Sequence, residues 1–289
     1  MKIIAIISKD LKKASTQFRL TQYLDYLKGK GITVEFIYRN SITSQDIEKV
    51  KNADLLFNQK CLIQGLTSRK LWKAARKVMF DFDDAIYTRP GKPAFFLTRW
   101  RQQARIKAWI QQSHWVTVSN ERLASYACQF SDRVEIIPMS LDLSHWHPIP
   151  KQDHALTIGW TGSPVNAPLV ARLDPILKEI QHKYPQVQVA ISCGIRPNLT
   201  CPFQYVPYQP GKEPDFVQQL DIGLLPLDSD EHSQGKTPIK ALQYLSCGIP
   251  VVGNVLGATA EVLCEQNSIA VHDSQQWIQA LSHLIEHPS

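Results

Sequence analysis

A chain of 289 residues with 44% hydrophobic and 20% charged residues is long enough for two ordinary domains with conventional cores, which excludes a disordered, fibrous or low-complexity protein. The net charge of +6, from 32 basic and 26 acidic residues, favours phosphate-bearing ligands or an anionic surface and does not demand nucleic acid. Six cysteines (Cys61, Cys128, Cys193, Cys201, Cys247, Cys264) without a C-x-x-C pair fit reduced thiols rather than a disulfide framework or a zinc site.

The apolar run at residues 2–7 predicts a buried first strand; it is far too short to span a membrane and no leader-type cleavage pattern follows it. A helical pattern over about 18–27, then Gly29 and Gly31, then a strand at 34–37 complete a βαβ opening. Further strands are expected at 54–57, 78–82, 115–118 and 134–137, separated by helix-like segments, which implies a parallel sheet with helices on both faces. Prolines gather and periodicity fades over 138–150, so the boundary is set between a domain at 1–146 and a domain at 147–289. The alternation then restarts, with strands expected at 155–159, 187–191, 203–206, 222–225, 249–252 and 269–271 and helices from about Pro164, Pro214, Thr237, Ala258 and Ser274. The predicted class is α/β, with two Rossmann-like, doubly wound parallel sheets.

The densest signal lies in Gln234-Gly235-Lys236-Thr237-Pro238-Ile239-Lys240-Ala241-Leu242-Gln243-Tyr244-Leu245-Ser246-Cys247-Gly248-Ile249-Pro250. Thr237 is an N-cap type, Pro238 suits the first helical position, Gly248 suits the C-terminal cap and Pro250 blocks continuation. The expected helix start, beside Gly235 and Lys236, would present unpaired N–H groups and the positive end of the macrodipole to an anion, of which phosphate is the natural example. Lys236, Lys240, Gln243 and Cys247 follow one another at helical spacing, while Ile239, Leu242 and Leu245 lie on another face. The plainer alternative is a capped helix with solvated lysines. A second anion-ready start is expected at Gly159-Trp160-Thr161-Gly162-Ser163-Pro164, where a strand runs into glycine, Ser163 and Pro164.

Asp81-Phe82-Asp83-Asp84 ends a predicted strand, where carboxylates can orient a hydroxyl or act as a base; a metal-binding D-x-D pair is the weaker alternative, and a cap plus a surface acid the bland one. Arg19, where the first loop enters its helix, can reach an anionic group, or be a structural arginine. A nicotinamide dinucleotide would announce itself by G-x-G-x-x-G straight after a strand, and no glycine follows Ile7. The nine histidines show no metal-ligand spacing, so no metal site is expected. The stretch at 95–112 carries Arg99, Arg101, Arg105 and Lys107 among aromatic and aliphatic residues, and reads either as a two-sided helix with Trp100, Ile106 and Trp109 packed on the sheet or as a basic amphipathic helix on a membrane.

Taken together these segments resemble a GT-B fold glycosyltransferase of family 4, a family of retaining, nucleotide-sugar-dependent enzymes. The resemblance rests on the 158–164 loop, Asp221-Ile222-Gly223-Leu224-Leu225-Pro226-Leu227, Gly235-Lys236, Lys240 to Tyr244 and Cys247 to Val252 in the second half. In the first half it rests on Asp81 to Tyr87, Val118-Ser119-Asn120-Glu121-Arg122-Leu123-Ala124 and Val134 to Asp142. It implies two domains facing a cleft, with a UDP- or GDP-linked sugar held by Gly162, Ser163, Gly235, Thr237, Lys240 and Gln243. Gln243 stands where many members carry a ribose-binding glutamate. Lys236 would face the leaving diphosphate, Asp83 or Asp84 would position the acceptor hydroxyl, and Arg19 would serve the acceptor or phosphate side. No cofactor beyond the donor is expected. The acceptor would be a cell-surface glycan or a lipid-linked glycan, met in the cytoplasm or at the inner face of the plasma membrane. The family usually continues into a helix that crosses back over the first domain, whereas this chain ends soon after Glu286. A non-catalytic nucleotide-sugar-binding module is therefore the alternative to an enzyme.

Overall fold

The computed structural model describes residues 1–8, 10, 11, 14–88, 96–150 and 155–287, with 96 and 97 described by backbone alone. Phe95, at the start of the basic stretch, lies outside the described residues. The chain divides into two compact units. The first is Met1–Ser140 together with Asp230–Thr237; the second is Leu141–Ser229 together with Pro238–Ser289. The division thus falls a few residues before the boundary expected from the fading periodicity, and the segment bearing Gly235, Lys236 and Thr237 belongs with the first unit.

In the first unit β1 (Lys2–Ile7), β2 (Thr33–Tyr38), β3 (Leu55–Gln59), β4 (Val78–Phe82), β5 (Trp115–Val118) and β6 (Val134–Ile136) form one sheet in the order β2-β1-β3-β4-β5-β6. All its pairings are parallel. The alternation within β1 explains why both faces are covered. Ile4 and Ile6 join Leu56, Phe80 and Val116 beneath Leu71, Ile106 and Trp109, whereas Ile3, Ala5 and Ile7 pack on the other face with Leu20. The order reverses between β1 and β3, which puts the topological switch point beside the carboxyl ends of those two strands, next to that of β4.

The helix expected at about 18–27 is broken into Ala14–Arg19, a turn of 3-10 helix at Thr21–Tyr23 and Leu24–Gly29. Leu20 leaves helical geometry at φ −144° and buries its side chain against the sheet, so tertiary packing overrides local periodicity. In the helix Phe96–Gln112, Ile106 and Trp109 are buried as the two-sided reading requires, but Trp100 is 61% exposed.

In the second unit β7 (Thr157–Gly162), β8 (Gln188–Cys193), β9 (Gln204–Pro207), β10 (Ile222–Leu225), β11 (Val251–Gly253) and β12 (Ser268–Ala270) are ordered β12-β11-β10-β7-β8-β9, again all parallel. This is the order of a dinucleotide-binding Rossmann sheet, with its switch point between β7 and β10, whereas the first sheet has the flavodoxin-like order. One face packs Ile158, Val189, Ile191 and Leu224 against Leu177, Ile180, Trp277 and Leu281. On the other face the fully buried Tyr244 ring sits where a Cβ on Gly223 would be, 2.6 Å away, so that strand must carry glycine. The helix expected at Ala258 is a 3-10 segment, Gly257–Glu261.

Candidate functional site

The carboxyl edge of the first sheet gathers charge. Asp81, inside β4, is almost fully buried and receives Arg19 on both oxygens, Nε donating to Oδ2 at 3.2 Å and Nη2 donating to Oδ1. Thr117 donates to the same Oδ1 at 2.7 Å, and Arg19 Nη1 donates to the carbonyl of Ile137. The guanidinium is therefore engaged inside the unit, as the structural reading of Arg19 expects. A buried arginine fork is best satisfied by a carboxylate it can grip twice.

The next two aspartates share a residue that sequence reasoning missed. Lys60 follows β3 directly, and its Nζ lies 2.7 Å from Asp83 Oδ1 and 2.8 Å from Asp84 Oδ2. Its backbone N–H donates to the Asp81 carbonyl at 2.7 Å, and its φ of 42° is left-handed, a conformation costly for a lysine and tolerated where surrounding contacts over-determine it. Burial works against the Lys60 charge, but the two aspartates outweigh it and raise its pKa above that of an ordinary lysine. Burial pushes Asp83 up to about 6, against the pull of Lys60. Asp84 is also driven upward by burial, yet Lys60, with help from Lys236 and His232, holds it below the usual carboxylate range. The Asp83 side chain is 3% exposed and that of Asp84 31%, so the two acids are pushed apart in both ionisation and access.

The segment Asp230–Thr237 lies against this edge. Thr237 donates its hydroxyl to the Asp83 carbonyl and shares a hydrogen bond with Ser119 Oγ at 2.6 Å, while Asn120 Nδ2 donates to the Gly235 carbonyl at 3.4 Å. A Cβ on Gly235 would stand 2.7 Å from that of Ala85, so glycine is what lets the backbone come this close. Lys236 is mostly buried; desolvation lowers its pKa while Asp84 and Asp230 oppose the shift. Thr237 is consequently not the N-cap. The helix is Ile239–Ser246, capped by Pro238 with no side-chain hydrogen bond, because the threonine hydroxyl is engaged elsewhere. Ser119 and Asn120 belong to the predicted motif at 118–124, and Asn120 also caps the helix Glu121–Ala127 through Leu123 N–H at 3.0 Å.

The carboxyl edge of the second sheet is built differently. β7 ends in Gly162, where a Cβ would fall 2.1 Å from the Trp160 indole, and Ser163 caps a 3-10 turn, Pro164–Asn166, accepting from Asn166 Nδ2 at 3.1 Å. Tyr244 Oη accepts from Thr161 N–H at 3.2 Å. Gln243 is buried and its Oε1 accepts from Lys240 Nζ at 3.0 Å, so these two expected donor ligands hold each other. A cavity of about 240 Å³ opens beside the ends of β8 and β9, lined by Ser192, Val206, Tyr208 and Glu213 among others. Among the described residues no group of three or more His, Cys, Asp or Glu is arranged to hold a metal ion.

Residues 183–287 match the family model of group 1 glycosyl transferases. That match covers little more than a third of the chain; it contains Gly235, Lys236, Thr237, Lys240 and Gln243 and leaves out Gly162, Ser163 and the aspartates. TuaH of Bacillus subtilis, assigned to teichuronic acid biosynthesis as a glycosyltransferase, is 32% identical over 56 residues, 19% of this chain and 14% of that protein. Among solved structures, HepE of Anabaena in complex with UDP-glucose superposes with a TM-score of 0.66 at 14% identity, covering 99% of this chain and 90% of that one. A glycosyltransferase of Rickettsia africae gives 0.67 at 11% identity, with 99% and 88% covered. An alpha-glucosyltransferase in complex with UDP and a 13-mer DNA gives 0.63 at 12% identity, with 99% and 90% covered. At these identities the likeness is one of fold, and the fold is the two-sheet α/β architecture of GT-B glycosyltransferases.

Proposed function

We propose that the protein is a glycosyltransferase that moves a sugar from a nucleoside-diphosphate donor, UDP- or GDP-linked, to an acceptor hydroxyl with retention at the anomeric carbon. The observation that carries this reading is the approach of Gly235-Lys236-Thr237, part of the group 1 match, to Asp83 and Asp84 within one unit. A cation suited to a departing diphosphate thereby lies beside a carboxylate pair suited to an acceptor. When the anomeric C–O bond breaks, its electron pair goes to the diphosphate, and the mostly buried Lys236 offsets that growing charge. Asp84, ionised and partly exposed, accepts the hydrogen bond of the acceptor hydroxyl, while Asp83, held by Lys60, fixes the loop. Gly162, Ser163, Lys240 and Gln243 are assigned to the donor. The likeness to nucleotide-bound structures supports the donor class, and the TuaH stretch supports a glycan or lipid-linked glycan acceptor in cell-surface polysaccharide synthesis.

A thermal-shift series with UDP, GDP, ADP and their sugars tests the donor, because a ligand at one hundred times its dissociation constant stabilises the fold by about 2.7 kcal/mol. No shift with any of them contradicts the reading; a shift without turnover on glycan acceptors returns the protein to a binding module. The reaction is expected to need no cofactor or divalent cation, so EDTA should leave the rate unchanged. Loss of rate restored by Mn²⁺ would move the phosphate-neutralising role from Lys236 to a metal.

A further inference from the structure

Two neighbouring helices of the first unit carry cations and no acids. The helix Gly65–Ala74 and the residues that follow it supply Arg69, Lys70, Lys73, Arg76 and Lys77, and the helix Phe96–Gln112 supplies Arg99, Arg101, Arg105 and Lys107. The helices are side by side: Trp72 meets Trp109 edge to face at 5.2 Å, and Trp109 Nε1 donates to the Ile63 carbonyl. Their inner residues Leu71, Ile106, Trp109 and Ile110 are in the core, which fixes the cationic sides outward. Arg69, Lys70, Lys73 and Arg101 are exposed, and none of them has an ion pair among the described residues. Among the described residues only Arg76, with Asp54, and Arg99, with Glu231, meet an acid. In a protein whose net charge is +6, Arg69, Lys70, Lys73 and Arg101 are the exposed cations this face leaves without an acid among the described residues, whereas Lys77 and Lys107 lie over the rings of Trp115 and Phe130.

The rim of the face is apolar. Leu66, in the first turn of one helix, is 72% exposed, and Trp100, at the start of the second turn of the other, is 61% exposed. The helix Gly65–Ala74 begins shortly after β3, and at the start of the other helix Arg99 pairs with Glu231 of the segment lying on the aspartate edge, so both helix starts lie at the carboxyl edge that holds Lys60, Asp83 and Asp84. Large apolar side chains surrounded by unpaired cations do not suit a nucleic-acid backbone, where leucine has nothing to pack on. They suit a surface with anionic headgroups above acyl chains, into which an indole and an isobutyl group can enter.

We propose that this face docks the protein on anionic lipid, with Leu66 and Trp100 entering the headgroup layer and Arg69, Lys70, Lys73 and Arg101 contacting phosphates. Docking in this orientation brings the aspartate edge to the lipid boundary, where an acceptor hydroxyl on a lipid-linked glycan would be presented. It deepens the transferase reading by naming the surface on which the acceptor is met, yet lipid binding is measured without donor or acceptor, so the two readings fail separately.

The test is co-sedimentation of the full chain with vesicles of phosphatidylcholine alone or mixed with phosphatidylglycerol. Binding to the mixed vesicles only is expected, weakening as salt shortens the Debye length below ~10 Å. Arg69→Glu/Lys70→Glu/Lys73→Glu should lower partitioning at least tenfold and Trp100→Ala about threefold, with melting temperatures unchanged because all four side chains are outside the core. The control Lys28→Glu/Lys30→Glu, two charge reversals exposed at the end of the helix Leu24–Gly29, should bind as the unaltered protein does. Recovery in the supernatant with both vesicles, or equal loss in the control, overturns the proposal. Retention of duplex DNA with no retention of vesicles overturns it in favour of a nucleic-acid surface.

Discussion

The two carboxyl edges are built of opposite materials. The first sheet's edge is a lattice of buried charge, Arg19 with Asp81 and Lys60 with Asp83 and Asp84, drawn together from β3, β4 and the first helix. The second sheet's edge is glycine, hydroxyl and amide, and among the described residues every ion pair of that unit has a partner at the surface. Buried ion pairs hold geometry at a high cost when one partner is lost, whereas close backbone packing holds it through shape. The first edge should therefore be brittle toward charge removal and the second toward added volume.

The largest effect expected is on Lys60. Lys60→Met leaves Asp83 buried and Asp84 partly buried without their shared cation and should destabilise the fold by about 3 to 5 kcal/mol in chemical denaturation. Lys178→Met, which breaks a surface pair with Asp174 in the second unit, should cost within about 1 kcal/mol. Equal losses would erase the distinction between the edges. Next comes volume: Gly162→Ala drives a methyl into the Trp160 indole and should cost about 1 to 3 kcal/mol, although no charge changes. A neutral result would mean the indole swings aside and the second edge is softer than its packing implies.

The smallest effect sharpens the comparison through pH. Asp83 has a folded pKa of about 6, above the ~3.9 of an unfolded aspartate, so its contribution to stability is complete below pH ~4 and is lost as pH rises through about 6. Asp84 has the opposite sign, its pKa being depressed, and its contribution disappears only as pH falls below the usual carboxylate range. Between pH 7 and 5 the unaltered protein should thus gain stability relative to Asp83→Asn, and the difference curve isolates Asp83 from the histidines. A flat difference would show that Lys60 keeps Asp83 an ordinary acid.

Strands were the legible part of the fold. Eleven of the twelve lie within about two residues of the apolar runs that predict them, most readily where the strand is buried on both faces and must be continuously hydrophobic; β7 runs on to Gly162, through residues expected to form a loop. Helix ends were less so: Leu20 breaks its helix to enter the core, and Thr237 gives up its capping role for Asp83 and Ser119, partners more than a hundred residues away. Gly235, Lys236 and Lys240, and the aspartates in and just after β4, could be picked out by position and chemistry. Lys60 could not. It sits in a short loop with no motif around it, and its meaning comes from a backbone turn and two acids brought in from the neighbouring strand. Arg19 was visible as a cation near the edge, but its partner is set by sheet order, which no local pattern encodes.

The central claim, that the segment beside the aspartate pair is where the donor's diphosphate departs, is tested most directly by steady-state kinetics of Lys236→Ala on whichever nucleotide sugar stabilises the protein. Loss of one such contact is worth about 2.7 to 4 kcal/mol, so kcat/KM should fall by about 10² to 10³ while the melting temperature stays close to that of the unaltered protein. Activity within about threefold of the unaltered protein, well under the 1.4 kcal/mol that a tenfold change represents, would contradict it.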